Sequence, residues 1–187
     1  MNTGAFISQI TGAHNKGVWN VKLLSSNHVA SVGDDMDVKI FDLNTCTSSA
    51  SSTPYMILQG HKSSIFDIEL LHFPAQSDHA SSSSFTQQPF VTCGADCTVK
   101  IWDPRTTSSV VSVSTISLQA AVYELACDPF SYTLVAGTEY GSVHFYDYRK
   151  LTSSQNSGNE SSALLCEYKL FKDFNTSIRS MYYDGSK

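Results

Sequence analysis

The chain has 187 residues, 41% of them hydrophobic, so it is long and apolar enough to bury the core of one domain. Its 12 basic and 17 acidic residues give a net charge of −5 with no lysine or arginine cluster, which argues against a phosphate-tracking surface for DNA or RNA, and no nucleic acid partner is expected. The N-terminal residues show neither a basic segment nor a long apolar run, which predicts no signal peptide, no membrane span and an intracellular protein of the cytoplasm, the nucleus or both.

The first repeated unit of the chain runs from residue 14 to residue 42, after a predicted outer strand at residues 5–10. It opens on His14 and ends on Phe41-Asp42. Its inner segment has apolar residues at positions 18, 21 and 23, whereas a regular strand alternates by two. The additional residue predicts a β-bulge near the start of this strand.

The second unit is the best-defined copy and runs from Gly60-His61 to Trp102-Asp103. Short alternating apolar runs, broken by a tight turn at Gly94, are typical of small antiparallel strands. The unit is about fourteen residues longer than the others, which predicts a loop insertion at residues 74–88, where serines and prolines concentrate.

The third unit runs from Leu118 to Asp147, and a fourth begins near residue 174, with an inner strand expected from Ile178. An outer strand is predicted after each of the first three units, at residues 55–58, 110–113 and 164–170. The pattern throughout is that of an all-β chain made of short antiparallel strands.

The Gly-His opening and Trp-Asp ending of the second unit resemble the repeat of the WD-repeat β-propeller family. The resemblance implies four-stranded blades, with blade 1 at about 14–59, blade 2 at about 60–117, blade 3 at about 118–173 and the start of blade 4 at 174–187. Propellers close with roughly four to eight blades. Three blades plus the inner strand of a fourth therefore indicate an incomplete propeller, which a longer form of the chain or self-association would complete.

A histidine, a hydroxyl residue and an aspartate recur together in the resembled repeats, where a buried hydrogen-bond chain is expected to hold the turn to the sheet. The residues are His61, Thr92, Asp96 and Trp102 in the second copy, and His14, Ser31 and Asp35 in the first. Leu118 and Tyr140 replace the histidine and the aspartate in the third copy, so packing alone is expected to hold it.

The group His61, Thr92 and Asp96 also has the residue types of a hydrolytic triad. No Gly-x-Ser-x-Gly element accompanies it, so we predict that the protein is not an enzyme and assign no catalytic residue. A hydrolase remains the alternative interpretation of these three residues.

The resemblance further implies a partner-binding face. It is formed by the residue after the first apolar position of each inner strand and by the residue before the aspartate position of each turn. These residues are Trp19, Phe66, Tyr123 and Arg179, with Asp34, Ala95 and Glu139 beside them. Aromatic residues and arginine dominate interface hot spots, and the acidic neighbours favour a basic peptide. We therefore predict a scaffold or adaptor that binds other proteins in a multiprotein complex. The alternative is that one or two of these aromatics only pack in the bulge.

A second candidate surface follows the third strands. Trp102-Asp103-Pro104-Arg105 matches the Trp-Asp-x-Arg box of WD-repeat substrate receptors of cullin-RING ubiquitin ligases, and Tyr146-Asp147-Tyr148-Arg149 is a looser match. The resemblance implies that these arginines pair with a carboxylate of the ligase's linker protein. The alternative is that each aspartate and arginine only brace the turn of their own blade.

The cysteines do not predict a metal site. Cys93 and Cys97 flank a tight turn, but two further ligands at metal-binding spacing are missing. We therefore predict neither a metal nor a cofactor, and small reduced side chains that pack in the sheets.

Overall fold

The structure is a computed structural model that describes residues 9–45, 53–73, 89–104, 112–152, 163–169 and 177–181. Segments with alternating apolar residues form strands, and the strands pair into three antiparallel sheets of four strands each. Each sheet is one blade, and successive strands of the chain are neighbours in it. Blade 1 comprises β1 (Val18–Leu23), β2 (His28–Gly33), β3 (Asp37–Asp42) and β4 (Met56–Gln59). Blade 2 comprises β5 (Ile65–Leu70), β6 (Phe90–Gly94), β7 (Thr98–Trp102) and β8 (Ser114–Ser117). Blade 3 comprises β9 (Val122–Asp128), β10 (Thr133–Thr138), β11 (Ser142–Asp147) and β12 (Leu164–Lys169), with helix α1 (Tyr148–Thr152) before β12.

The predicted β-bulge is confirmed in the inner strand of every blade. The ladder between β1 and β2 passes from Val18 directly to Asn20, so Trp19 has no partner across the sheet. The same shift leaves Phe66 unpaired in β5 and Tyr123 unpaired in β9. A bulge re-aims a side chain away from the regular alternation. Each of the three inner strands therefore has an unpaired aromatic residue at the bulge near its start.

The turn between the second and third strands of each blade is tied to the start of the inner strand. The backbone N–H of Asp34 donates to the carbonyl oxygen of Gly17 at 3.0 Å in blade 1. Ala95 donates to Ser64 in blade 2, and Glu139 donates to Ala121 in blade 3, both at 2.9 Å. These bonds bring the three turns and the three bulges to the same end of the sheets.

The core lies between the blades. Ile65 and Ile68 of β5 are fully buried in one cluster with Val32 and Ile40 of blade 1. A second cluster joins the other face of blade 2 to blade 3, and Leu134 lies at its centre without exposed surface. Fully burying such a side chain contributes roughly 1.5–3 kcal/mol, so packing between sheets is the main force that aligns the blades.

Polar contacts between inner strands add to this packing. Lys22 of β1 forms an ion pair of 2.6 Å with Glu69 of β5, and the Asn20 amide donates to the carboxylate of Asp67. The other oxygen of Asp67 accepts the backbone N–H of Leu125 from β9 at 2.7 Å. One carboxylate therefore links all three inner strands.

Two of the three predicted outer strands agree closely with β4 and β12, whereas the one at residues 110–113 is contradicted at residues 112–113, which form no strand. Residues 105–111 lie outside the described residues, and the strand β8 begins at Ser114. In that register Ile116 pairs with Val99 and is 2% exposed, while Val113 is 44% exposed. Burial of Ile116 decided the register, although the run of valines before it has the stronger strand propensity.

Some predicted segments fall wholly or partly on residues that the structure does not describe. These are residues 5–8 of the first predicted strand, the insertion at 74–88, Arg105, and all of the fourth unit except residues 177–181. Residues 9–10 and 177–181 form no strand. Helix α1 was not predicted, although Asp147 accepts the N–H of Arg149 at 3.1 Å as a capping residue does. No helix in the described ranges has the length and apolarity to cross a membrane.

Candidate protein-binding face

The side chains of Trp19, Phe66, Tyr123 and Arg179 form a continuous row across the ends of the inner strands, here called the aromatic row. The rings of Trp19 and Phe66 meet edge to face, with their centres 5.6 Å apart and their planes at 87°. Phe66 stacks on Tyr123 at 4.8 Å and 26°. The Arg179 guanidinium carbon lies 5.2 Å from the centre of the Tyr123 ring, within the range of a cation–π contact. The three bulges thus bring residues of three different sheets into direct contact.

Asp34 holds the first ring of the row. Trp19 is 58% exposed, yet its indole Nε1 donates to Asp34 Oδ1 at 2.6 Å. Hydrogen bonds from the Trp19 indole and from the Ser64 side chain hold the pKa of Asp34 below its usual value. The carboxylate is therefore ionised at neutral pH, and the indole has a fixed orientation although most of its surface faces solvent.

Arg179 is held at the other end by the segment of residues 177–181. The Arg179 Nε atom donates to the Ser177 hydroxyl at 3.0 Å. The N–H of Ile178 donates to the carbonyl of Thr138 at 3.2 Å, which docks this segment on blade 3. A Cβ atom at Gly137 would lie 2.7 Å from the Ile178 side chain, so a glycine is needed there for the close approach.

Acidic residues lie next to the row. Glu124 follows Tyr123 in β9, and burial together with the nearby charge of Asp67 raises its pKa to about 7, against the effect of a bond from the Met181 N–H. Burial also raises the pKa of Asp67, while its backbone hydrogen bonds act in the opposite direction. The row is thus backed by carboxyl groups that gain from a nearby positive charge.

The structure brings together five of the predicted face residues: the four members of the row and Asp34. Ala95 and Glu139 occupy the corresponding turns of blades 2 and 3. Glu139 and Arg179 are both described, and no ion pair joins them. The sequence analysis missed Ser64 and Ser177, which brace the row. Ser64 directly precedes Ile65 of β5, and Ser177 precedes Ile178 at the same position of the fourth unit, so the shared position was available in the alignment of the copies.

A chain of hydrogen bonds runs through blade 2 beneath this face. The His61 Nδ1 atom donates to Asp96 Oδ2 at 2.9 Å, and the Thr92 hydroxyl donates to His61 Nε2 at 2.8 Å. The Trp102 indole Nε1 donates in turn to Thr92 Oγ1 at 2.8 Å. This arrangement gives every side-chain polar group of the four residues a partner.

Asp96 is the acceptor on which this chain ends. It also accepts the N–H of Lys62 at 2.8 Å and the hydroxyl of Thr98 at 2.7 Å. Burial opposes ionisation of Asp96, but the bonds from His61, Lys62 and Thr98 outweigh it, so its pKa lies well below the usual range. The side chain of His61 and the whole of Thr92 have no exposed surface. A nucleophilic hydroxyl has to reach its substrate, so the geometry gives these residues a role in holding the turn.

Blade 1 contains a shorter version of the same chain. His14 Nδ1 donates to Asp35 Oδ1 at 2.6 Å, and the Ser31 hydroxyl bonds to His14 Nε2 at 2.7 Å. Burial would raise the pKa of Asp35, but Lys39 and His14 lower it to about 2. Phe41, at the position of Trp102, is 1% exposed and supplies no indole donor.

Blade 3 has neither the histidine nor the acid, yet its turn is not held by packing alone, which corrects the sequence-based expectation. The buried hydroxyl of Thr138 donates to the carbonyl of Ser142 and accepts the N–H of Ser142, both at 3.1 Å. A local threonine therefore closes the turn where a distant histidine does so in the other blades.

The second candidate surface is only partly described. Trp102 and Tyr146 are buried at 2% and 4% exposure, and Asp103 is partly buried. The Arg149 guanidinium makes a forked contact with Asp147, at 2.9 Å from Nε and 2.7 Å from the terminal nitrogen. It also lies 4.7 Å from the centre of the Tyr132 ring. In this blade the arginine therefore braces its own turn.

No group of three or more histidine, cysteine, aspartate or glutamate side chains is placed to hold a metal ion within the described ranges. The described cysteines are free, and burial raises the pKa of the Cys93 thiol well above its usual value.

Comparison with known proteins shows which folds the chain resembles. Residues 52–103 match the family model described as "WD domain, G-beta repeat". A solved structure, the WD40 β-propeller domain of Doa1, matches with a TM-score of 0.53 and 22% identity over 69% of this chain. The chain spans 36% of the length of that structure, and a search of curated proteins finds no match. The match of 901 solved chains shows that the fold is widespread and does not by itself identify a function. The chain therefore contains a match to the WD repeat at residues 52–103, and its three bulged four-stranded blades have the fold of a WD40 β-propeller.

Proposed function

We propose that the chain is a protein-interaction scaffold or adaptor that holds a partner protein or peptide on the aromatic row. WD-repeat propellers generally mediate contacts between proteins. The observation that carries the proposal is the unbroken contact from Trp19 through Phe66 and Tyr123 to Arg179 across three blades. No single blade could supply such a surface.

The physical properties of the row suit a binding hot spot. Hot spots are enriched in tryptophan, tyrosine and arginine, and rigid rings lose little conformational entropy when a partner covers them. Trp19 is fixed by Asp34, and Phe66 is held between two rings. Partner binding would remove from water an apolar surface that is already oriented.

The experiment compares Phe66→Ala with Phe130→Ala in the full chain. Phe66 lies in the row, whereas Phe130 is 73% exposed and follows the far end of β9, away from the row. Affinity-tagged wild type and both variants are used to capture proteins from cells, and the captured proteins are quantified by mass spectrometry. We expect Phe66→Ala to lose specific partners at least tenfold while Phe130→Ala retains them. The same set of partners on Phe66→Ala and wild type would refute the proposal, provided that circular dichroism shows both variants folded.

The narrower role of a cullin-RING substrate receptor is a second proposal that rests on the Trp-Asp-x-Arg boxes. Arg149 is already engaged by Asp147, so a linker protein would have to compete with an ion pair inside the blade. Arg105 lies outside the described residues. Co-purification with the ligase's linker protein, lost when Arg105→Ala and Arg149→Ala are combined, would support this role. Co-purification that survives both changes would remove it.

A further inference from the structure

The two ends of the aromatic row differ in the charge that they offer to a ligand. At one end the Asp34 carboxylate is occupied by the Trp19 indole and the Ser64 side chain. At the other end Arg179 is exposed and carries the positive charge of the row. Asp34 therefore keeps its charge but already accepts two hydrogen bonds, whereas the Arg179 guanidinium is the charged end of the row that still has donors for a ligand, although the acidic neighbours in the sequence favoured a basic peptide.

The Arg179 guanidinium is held so that its terminal nitrogens are presented. Its face lies on the Tyr123 ring, and its Nε atom is used by the Ser177 hydroxyl. Among the described residues no acceptor lies within hydrogen-bond distance of its two terminal nitrogens, and Glu139 forms no ion pair with it. A planar fork with its orientation already fixed matches the two oxygens of a carboxylate.

The spacing of the row defines the length of the ligand. Neighbouring centres are 5.6, 4.8 and 5.2 Å apart from Trp19 to Arg179. The path along the row from Trp19 to Arg179 is therefore roughly 15 Å long, which about four to five residues of extended chain can follow. Apolar side chains of such a segment would cover Trp19 and Phe66, while its last residue reaches Arg179.

We infer that the ligand of the aromatic row is an extended protein segment that places an aspartate or glutamate carboxylate on Arg179 and apolar side chains on Phe66 and Trp19. The inference rests on the proposed function, because it names the chemistry of the partner at the same surface. Two hydrogen bonds from Arg179 to the carboxylate oxygens fix the direction in which the segment lies along the row.

The test uses the full chain and an array of synthetic pentapeptides. Four positions are drawn from Leu, Pro, Phe and Ser, and one terminal position is Glu, Gln, Lys or phosphoserine. Binding is measured for wild type, Phe66→Ala, Arg179→Gln, Arg179→Lys and the control Phe130→Ala, each checked for folding by circular dichroism. We expect Glu peptides to bind about fivefold more tightly than their Gln counterparts, because an exposed charge-assisted pair contributes on that order. Arg179→Gln should abolish this preference, Arg179→Lys should reduce it, and Phe130→Ala, away from the row, should leave it unchanged.

The outcomes separate the inference from the proposed function. Peptides that need Phe66 but prefer Lys, or that show no preference for charge, would overturn the inference and leave the scaffold role standing. Binding of phosphoserine peptides without binding of Glu peptides would overturn the choice of a carboxylate. Absence of any peptide whose binding depends on Phe66 would overturn both proposals.

Discussion

Blades 2 and 3 share strand order, bulge and turn position but hold their turns by different contacts. In blade 2 the His61 side chain reaches from the loop before β5 to Asp96 in the turn and to Thr92 in β6. In blade 3 the Thr138 hydroxyl makes two bonds to Ser142, which is four residues away. The same four-stranded sheet therefore forms whether its turn is held by long-range or by local hydrogen bonds. Strand pairing and packing between blades determine the shape, and the buried chain in blade 2 adds stability to it.

The two blades should differ most in the stability lost when the residue at the position of Asp96, in the turn between the second and third strands, is replaced. Asp96→Ala leaves the His61 imidazole and the N–H of Lys62 without their acceptor in a mostly buried site, which should destabilise the protein by about 3 kcal/mol. Tyr140→Ala is the matched change at the corresponding turn position of blade 3, where the ring is 46% exposed. Its effect should stay below about 1 kcal/mol. Urea unfolding followed by circular dichroism measures both, and equal losses would contradict a special role for the blade 2 chain.

A smaller effect is expected from Trp102→Phe, which converts blade 2 to the arrangement of blade 1. Phe41 occupies this position in blade 1 without an indole donor. The change removes the hydrogen bond to Thr92 and part of a buried ring, so we expect a loss of about 1–2 kcal/mol. Unfolding midpoints should place it between wild type and Asp96→Ala. A loss of stability as large as that of Asp96→Ala would mean that the Trp102 hydrogen bond contributes as much to the stability of the blade as Asp96 does.

The repeat spacing was sufficient to predict the sheets and the bulges, because both follow from the order of apolar residues along one strand. The choice of face residues came from the resemblance to WD-repeat propellers, and the structure displaces the bulge residue in the same way in each of the three described blades. The orientation of Arg179 could not be predicted. It depends on the local hydrogen bond to Ser177 and on the docking of Ile178 against Gly137 and Thr138, which is a contact between segments distant in sequence. The start of β8 was missed for the same reason, since the burial of Ile116 is decided by its partner Val99.

The inner strands of blades 2 and 3 also differ in how they neutralise a carboxyl group. Asp67 accepts hydrogen bonds from Asn20, Ile68 and Leu125, whereas Glu124 accepts the Met181 N–H at 3.4 Å. Burial and the charge of Asp67 raise the pKa of Glu124 from 4.5 to about 7. The folded protein therefore binds this proton more tightly than the unfolded chain does, and stability should rise as the pH falls from about 8 to about 5.

Glu124→Gln tests this pH dependence. The variant lacks the titrating group, so its unfolding free energy should be higher than that of wild type near pH 8. The difference should fall steadily towards pH 5, with a total change on the order of 1 kcal/mol, because solvent screens a partly exposed group. Urea unfolding at a series of pH values measures both proteins. If the stability of both proteins changes with pH in the same way, Glu124 has an ordinary pKa and burial does not disfavour its ionised form.

The smallest expected difference lies in the backbone of the turns. Cys97 in blade 2 has a φ angle of 61°, and Gly141 has a φ angle of 72° at the corresponding position of blade 3. A residue with a Cβ atom pays roughly 1 kcal/mol for this left-handed conformation, whereas glycine adopts it readily. Cys97→Gly should therefore stabilise the protein by about 0.5 kcal/mol, after allowance for the greater freedom of glycine in the unfolded chain. Gly141→Ala should destabilise it by about 0.5 kcal/mol, because the same two effects act in reverse. If Cys97→Gly lowers the unfolding midpoint instead, contacts of the Cys97 side chain outweigh the backbone cost, and the turns of the two blades differ in more than their hydrogen bonds.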